Sequence, residues 1–244
     1  MNPTRTLMAA TLLISACTST PPPPDWQANA FESLDNFTSA YLSGNTRVAH
    51  DEFNRAKAEI ARTGRPDIMA RAELLRCAAQ VASLDWSPCT GYLSLAKDAA
   101  LPEQAYAAFI SGQWNNLDTA QLPKHDQTLL TELQQQTMPT HSRLSLIHDP
   151  FARLIAASLL LKKELLTPVD IALAVDSASG QGWRRPLLAW LGVQLKQAQT
   201  QGDTDAAAGI QRRMDVVLQQ KTRVLALVRN RLDPLAIFGA VCPK

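Results

Sequence analysis

The sequence predicts an all-α protein assembled from antiparallel helical hairpins. Apolar residues recur at the three- and four-residue steps of a helix along nearly the whole chain. Glycine is scarce, 10 residues in 244, and several glycines fall with proline between the periodic stretches, as helix punctuation does. No run alternates apolar and polar residues with the two-residue period of a half-buried strand.

Ala30, Leu34, Phe37 and Tyr41 stand at i, i+4, i+7 and i+11 and form one face of a first helix. Ala49, Phe53, Ala56 and Ile60 repeat those offsets in a second, and Ile68, Ala72, Leu75 and Ala79 in a third. Ser43-Gly44-Asn45 and Thr63-Gly64-Arg65-Pro66 separate them. Glycine adopts the left-handed conformation that ends a helix, and Pro66 suits the first turn of the next. Leu101-Pro102-Glu103 opens a further helix through Phe109. Asp149-Pro150 and Thr167-Pro168 each place a capping side chain before a proline, with Asp170 in the first turn of the second helix. Phe151, Leu154, Ile155 and Leu159 form one face there. Leu187, Trp190, Leu191 and Leu195 form another, closed by Gly202-Asp203. Ala206 to Arg229 reads as one long helix, or two. Residues 117–142 carry Gln134-Gln135-Gln136, two prolines and little periodicity. They are expected to form an irregular join between an N-terminal helical region, 26–116, and a C-terminal one, 143–244.

The first residues have a different logic. Arg5 and the amino terminus are cationic, Leu7 to Ile14 is mostly apolar, and Ser15 and Ala16 are small. That order is an export signal, and its apolar part is too short to span a bilayer. Ile14-Ser15-Ala16-Cys17 resembles the lipobox of bacterial lipoproteins. The resemblance covers the first 17 residues. It implies removal of the signal, 1–16, and acylation of Cys17 on its sulfur, by chains such as palmitate, and on its new amine. Thr18 stands where an Asp would favour retention in the inner membrane, so the resemblance implies the outer membrane, with the body facing the periplasm. Each buried methylene contributes about 0.8 kcal/mol, so several chains hold firmly where one does not. Pro21 to Pro24 then favour polyproline II, a stiff spacer rising about 3.1 Å per residue. Residues 17–25 are expected to be a lipidated tether.

Three other cysteines are present, Cys77, Cys89 and Cys242. An exported protein can form disulfides. Cys77 and Cys89 flank Leu84-Asp85-Trp86-Ser87-Pro88, which reads as a connection between helices. A bridge there would contribute roughly 2–3 kcal/mol. Connectivity is not readable from sequence, and that pairing would leave Cys242 free or available to a second chain.

Ala40-Tyr41-Leu42-Ser43-Gly44-Asn45 is echoed by Ala108-Phe109-Ile110-Ser111-Gly112-Gln113. The offset of 68 residues is twice the 34-residue tetratricopeptide period. Tyr41, Gly44, Ala49, Phe53, Ala56 and Pro66 resemble that repeat's order of aromatic, turn, small, large, small and closing proline. The resemblance holds over 26–66 and fades from 67 to 115, where Ala78 replaces the turn glycine. It implies a tetratricopeptide-like or irregular α-solenoid body.

Chemistry leaves little trace. Histidines 50, 125, 141 and 148 are scattered, and no HExxH, GxSxG or phosphate loop occurs. No close Cys/His spacing offers a metal site, and no cofactor is expected. His148-Asp149 is the nearest approach to an acid/base pair, but Asp149 already serves as a helix cap. Glu52 with Glu59, and Asp126 with Glu132, read as solvated faces. The net charge is +2 and no basic tract reaches five residues, so nucleic acid is not an expected partner. Binding features are stronger. Gly180-Gln181-Gly182-Trp183-Arg184-Arg185 joins an aromatic to two forked cations. Trp183, Arg184, Arg185, Tyr41 and Trp114 are the candidate partner-binding residues. Against this, tryptophans at helix ends also plug the ends of helical layers.

The expected function is a non-catalytic adaptor or scaffold, held at the outer membrane by Cys17, for a protein assembly of secretion, pilus or cell-wall machinery. Two other classes compete: a helical cell-wall hydrolase with a desolvated acid in a cleft, and a carrier of lipid or another small ligand in an apolar cavity.

Overall fold

A computed structural model describes residues 22–134 and 142–231, with side chains through Gln219. Cys17, Pro21 and Cys242 lie outside the described residues. Ten α-helices occur among them: α1 (Asp25–Leu42), α2 (Thr46–Ala61), α3 (Pro66–Ala82), α4 (Thr90–Leu93), α5 (Leu101–Ser111), α6 (Lys124–Gln134), α7 (Pro150–Lys162), α8 (Pro168–Gly180), α9 (Arg184–Thr200) and α10 (Thr204–Arg231). Single 3-10 turns cover Thr119–Gln121 and Arg143–Leu146. No strand is present among the described residues, and the protein is all-α.

The caps explain the boundaries. Pro24, at φ −55° and ψ 146°, lies in the polyproline II region and leads directly into α1. Asn45 caps α2. The Asp149 carboxylate accepts from the Ala152 N–H at 2.7 Å and starts α7. Thr167 and Asp170 form a reciprocal capping box on α8. Six of the helix exits share one device. Asn45 N–H bonds Ala40 C=O at 2.8 Å and Gly44 N–H bonds Tyr41 C=O at 3.0 Å, while Gln113 and Gly112 make the same pair to Ala108 and Phe109. That is the Schellman motif, with Gly44 at φ 81° and Gly112 at φ 77°. The echo between residues 40–45 and 108–113 is therefore the same turn chemistry used twice. Trp183 and Gly182, Asp203 and Gly202, Asp85 and Leu84, and Leu165 and Glu164 close four more helices in this way, the last two without glycine.

Packing is organised around α3 and α7, which lie against each other. Seven consecutive residues of α7, Leu154 to Leu160, are buried. On α3 the expected single face, Ile68, Ala72, Leu75 and Ala79, is too narrow. Ala70, Leu74, Cys77, Ala78, Val81 and Ala82 are buried as well, because α2 covers one side of α3 and α7 another. The α1–α2 hairpin adds a second cluster through Phe37, Phe53 and Ile60, and all four expected residues of α2 are buried. Helices α8, α9 and α10 follow α7 in sequence and in space, and α1 touches α9. Residues 117–134 are more ordered than the expected loose join: Leu122, Leu129 and Leu130 belong to the same core as Leu74 and Leu159. That core runs across the anticipated N- and C-terminal regions. The α3–α7 pairing joins helices that are not consecutive, whereas units in a repeat array contact their neighbours in sequence.

Two restraints hold the α3–α4 corner. Cys77 and Cys89 are joined by a disulfide, with Cα atoms 5.8 Å apart. Beside it Glu73, only 2% exposed, receives Lys57 Nζ at 2.9 Å from α2 and Arg76 Nη2 at 2.6 Å from its own helix. Both cations also lie over the Phe53 ring. Gly91 of α4 covers this carboxylate so closely that an added Cβ would sit 2.5 Å from the Glu73 carboxyl carbon and 2.7 Å from Arg76 Nη2.

Gly91→Ala should therefore displace a buried charge from its partners and destabilise the protein by roughly 2–4 kcal/mol in urea titrations. Glu164→Gly should act in the opposite sense. Glu164 is exposed at φ 59° and relief of left-handed strain should raise stability by about 1 kcal/mol, read as a higher denaturation midpoint at unchanged m.

Candidate functional site

A groove lies between α3 and α5. Arg71, Leu74, Leu75 and Ala78, at i, i+3, i+4 and i+7, line one wall. Pro102, Glu103 and Tyr106 of α5 line the other, and Gln121, Leu122 and Pro123 close one end. The volume is about 530 Å³ and the walls are mainly apolar. A second hollow of about 350 Å³ adjoins it, lined by Trp26, Ala30, Phe31, Leu34 and Ile68 and also by the polar side chains of Gln27, Arg65 and Asp67. Arg71 and Glu103 border both and form a polar waist between them.

The waist is a rigid pair. Glu103 Oε1 accepts from Arg71 Nε at 2.6 Å and lies 2.5 Å from Nη2. The carboxylate is nine-tenths buried, while the Arg71 side chain is 74% exposed. Glu103 Oε2 is sealed from solvent without a hydrogen-bond partner among the described residues. The buried acid fixes the base of the guanidinium and leaves its Nη1 edge unengaged among those residues.

Behind the Pro123 end lies a second carboxylate. Asp126 is 2% exposed, which corrects its expected place on a solvated face. Asp126, Leu129, Leu130 and Leu133 share one stripe of α6, and Leu129 and Leu130 are buried in the core. Asp126 Oδ2 has no hydrogen-bond partner among the described residues, and His125 Nε2 stands 3.5 Å from Oδ1. Burial pushes the Asp126 carboxyl up to about 7. Burial also pushes His125 down, against the opposing pull of Asp149. The Tyr106 hydroxyl is pushed up by burial and further by Asp126 and Asp149. Tyr106 thus belongs both to the groove wall and to this acidic neighbourhood. Asp149 is held as the cap of α7, and the described residues contain no cluster of three metal-ligating side chains.

The sequence-derived binding residues do not converge on one surface. Tyr41 and Arg185 meet. The guanidinium lies 4.2 Å from the ring centroid, Nε donates to Tyr41 C=O at 2.8 Å, and Nη2 donates to Thr46 Oγ1 at 2.8 Å. These bonds dock the α1–α2 turn onto α9. Arg184 packs beside Gly44 in the same joint. Trp183 is half-buried and meets Phe151 edge-on at 6.4 Å. Trp114 stacks on Phe109, donates to Phe109 C=O at 3.0 Å and carries Lys163 over its ring. Each of these side chains has an internal partner, as aromatics that plug the ends of helical layers do. The groove residues Arg71, Glu103 and Tyr106 were not anticipated, although the α3 wall is written as an i, i+3, i+4, i+7 stripe.

No protein-family model, no curated protein and no solved structure matches this chain. Among the described residues no helix is long and apolar enough to cross a membrane.

A carboxyl raised by burial favours the folded state most when neutral. The Asp126 contribution is fully present below pH ~4 and is lost as pH rises through about 7. Thermal melts should show this loss, up to ~4 kcal/mol between pH 4 and pH 8, and Asp126→Asn should flatten the curve over that interval. A wild-type stability that rises across it would contradict the assignment.

Proposed function

We propose that this protein is a lipid-anchored adaptor of the bacterial cell envelope, tethered through Cys17 to the outer membrane and facing the periplasm, that docks a segment of a partner protein. Catalysis is not part of this reading. The body is an irregular arrangement of helical hairpins, tetratricopeptide-like over α1–α2. The observation that carries the proposal is the open, apolar groove with its pinned Arg71. It adjoins the hollow beside Trp26 and Phe31, where the proline tether meets α1. A tether raises the local concentration of whatever the groove holds, and an exposed apolar groove with a polar waist is suited to recognition. The Cys77–Cys89 disulfide supports an oxidising compartment. The groove is open along its length, which favours a polymer segment over an enclosed small molecule.

A carrier of an apolar ligand is the second reading, favoured by the apolar walls of the same groove. Crosslinked pull-down of the lipidated chain from its native envelope separates the two. The adaptor should retain a specific envelope protein, and Cys17→Ala should move the chain to the soluble fraction and abolish that capture. Retention of abundant porins alone, with a small apolar molecule carried by the purified chain in native mass spectrometry, would favour the carrier.

A further inference from the structure

We infer that the groove recognises an acidic amphipathic peptide: two apolar side chains fill the hollows on either side of the waist, and an Asp or Glu between them is taken by the free edge of Arg71. This deepens the adaptor reading and rests on it.

Arg71 is pre-organised. Glu103 occupies its Nε and Nη2 side, so the guanidinium is oriented against α5, and its remaining N–H donors, on a side chain that is 74% exposed, are open to exchange water for an incoming acceptor. An arginine held in this way loses little freedom when it binds, and its planar fork matches a carboxylate. The waist separates a mainly apolar groove from a mixed hollow, whose apolar side is Trp26, Ala30, Phe31, Leu34 and Ile68 and whose rim carries the Arg65–Asp67 pair, so the fitting ligand places a polar group between two apolar ones. An uninterrupted hydrocarbon chain would desolvate the ion pair and return no hydrogen bond. A peptide satisfies both conditions, because side chains three or four residues apart lie on one helical face with a charge between them. The Arg71–Glu103 pair is close to neutral as a unit. The apolar groove and the apolar side of the hollow therefore supply affinity, and the carboxylate supplies register and selectivity.

The test uses the full mature chain held by its anchor in lipid nanodiscs. A phage-displayed library of random twelve-residue peptides is panned on it, with empty nanodiscs subtracted. The expected enrichment is two apolar residues spaced by three or four, with Asp or Glu between them. A fluorescein-labelled peptide of that consensus should lose at least tenfold in affinity against Leu75→Arg and against Arg71→Gln, and changing its acid to the amide should cost a similar factor. Arg71→Gln strands Glu103, so the Arg71→Gln/Glu103→Gln pair, checked by circular dichroism and melting, provides a folded variant without the fork. No enrichment, enrichment without the acid, or a peptide indifferent to these variants would overturn the inference. Binding of dodecanoate by the same chain in competition with no peptide would overturn it in favour of a lipid ligand. A partner still captured from the envelope by the Leu75→Arg chain would leave the adaptor reading standing and remove the groove from it.

Discussion

The contact between α3 and α7 is the constraint on which the other layers depend, and buried alanines are frequent on both helices. Ala70, Ala78, Ala82, Ala156 and Ala157 are essentially inaccessible and share one core. With so little side chain between them, the two helices form a centre that every other layer must cover. Once α3 and α7 are back to back, α2 is left to one side of α3 and α8 to one side of α7. Segment α5 and the residues just before α6 form the other side of the groove opposite α3.

Local chemistry was the legible part of the fold. Pro66, Pro150 and Pro168 mark first turns, Asp149 and Thr167 cap, and Gly44, Gly112, Gly182 and Gly202 end helices, because each of these depends only on residues within one turn. The four apolar residues of α2 are all buried, since that helix covers the body on one side only. Long-range pairing was not legible. Nothing in 66–82 names α7 as its partner, and a helix covered on two sides carries too broad an apolar arc to report a direction. The resemblance between 40–45 and 108–113 shows the limit of pattern. Six residues repeated for a cap and six residues repeated for a superhelix look the same until the hydrogen bonds are seen.

The candidate site was less legible than the fold, for a related reason. An aromatic next to two arginines reads as a sticky surface, yet Arg185 and Tyr41 are bound to each other across 144 residues. Arg71, Glu73, Glu103 and Asp126 are ordinary charged letters on amphipathic helices. Three of them, Glu73, Glu103 and Asp126, are buried in the packed helices. Asp126 carried the one readable warning: it stands in register with Leu129, Leu130 and Leu133, on the apolar side of its own helix.

Of the four acids buried among the described residues, Asp170 is taken up by the capping box of α8, and the other three differ in what they can do. Glu73 has two cations and a glycine laid over it, so it ties α2, α3 and α4 together and has no access to solvent. Asp126 has no cation, and its burial favours the neutral form, but it is not among the residues that line the groove. Glu103 alone borders the groove, and one of its oxygens is occupied by Arg71 while the other is sealed. What reaches the groove from this set of charges is the far edge of the Arg71 guanidinium, held still by a carboxylate behind it. A donor placed between an apolar groove and a hollow of mixed lining is an arrangement suited to holding a ligand in register.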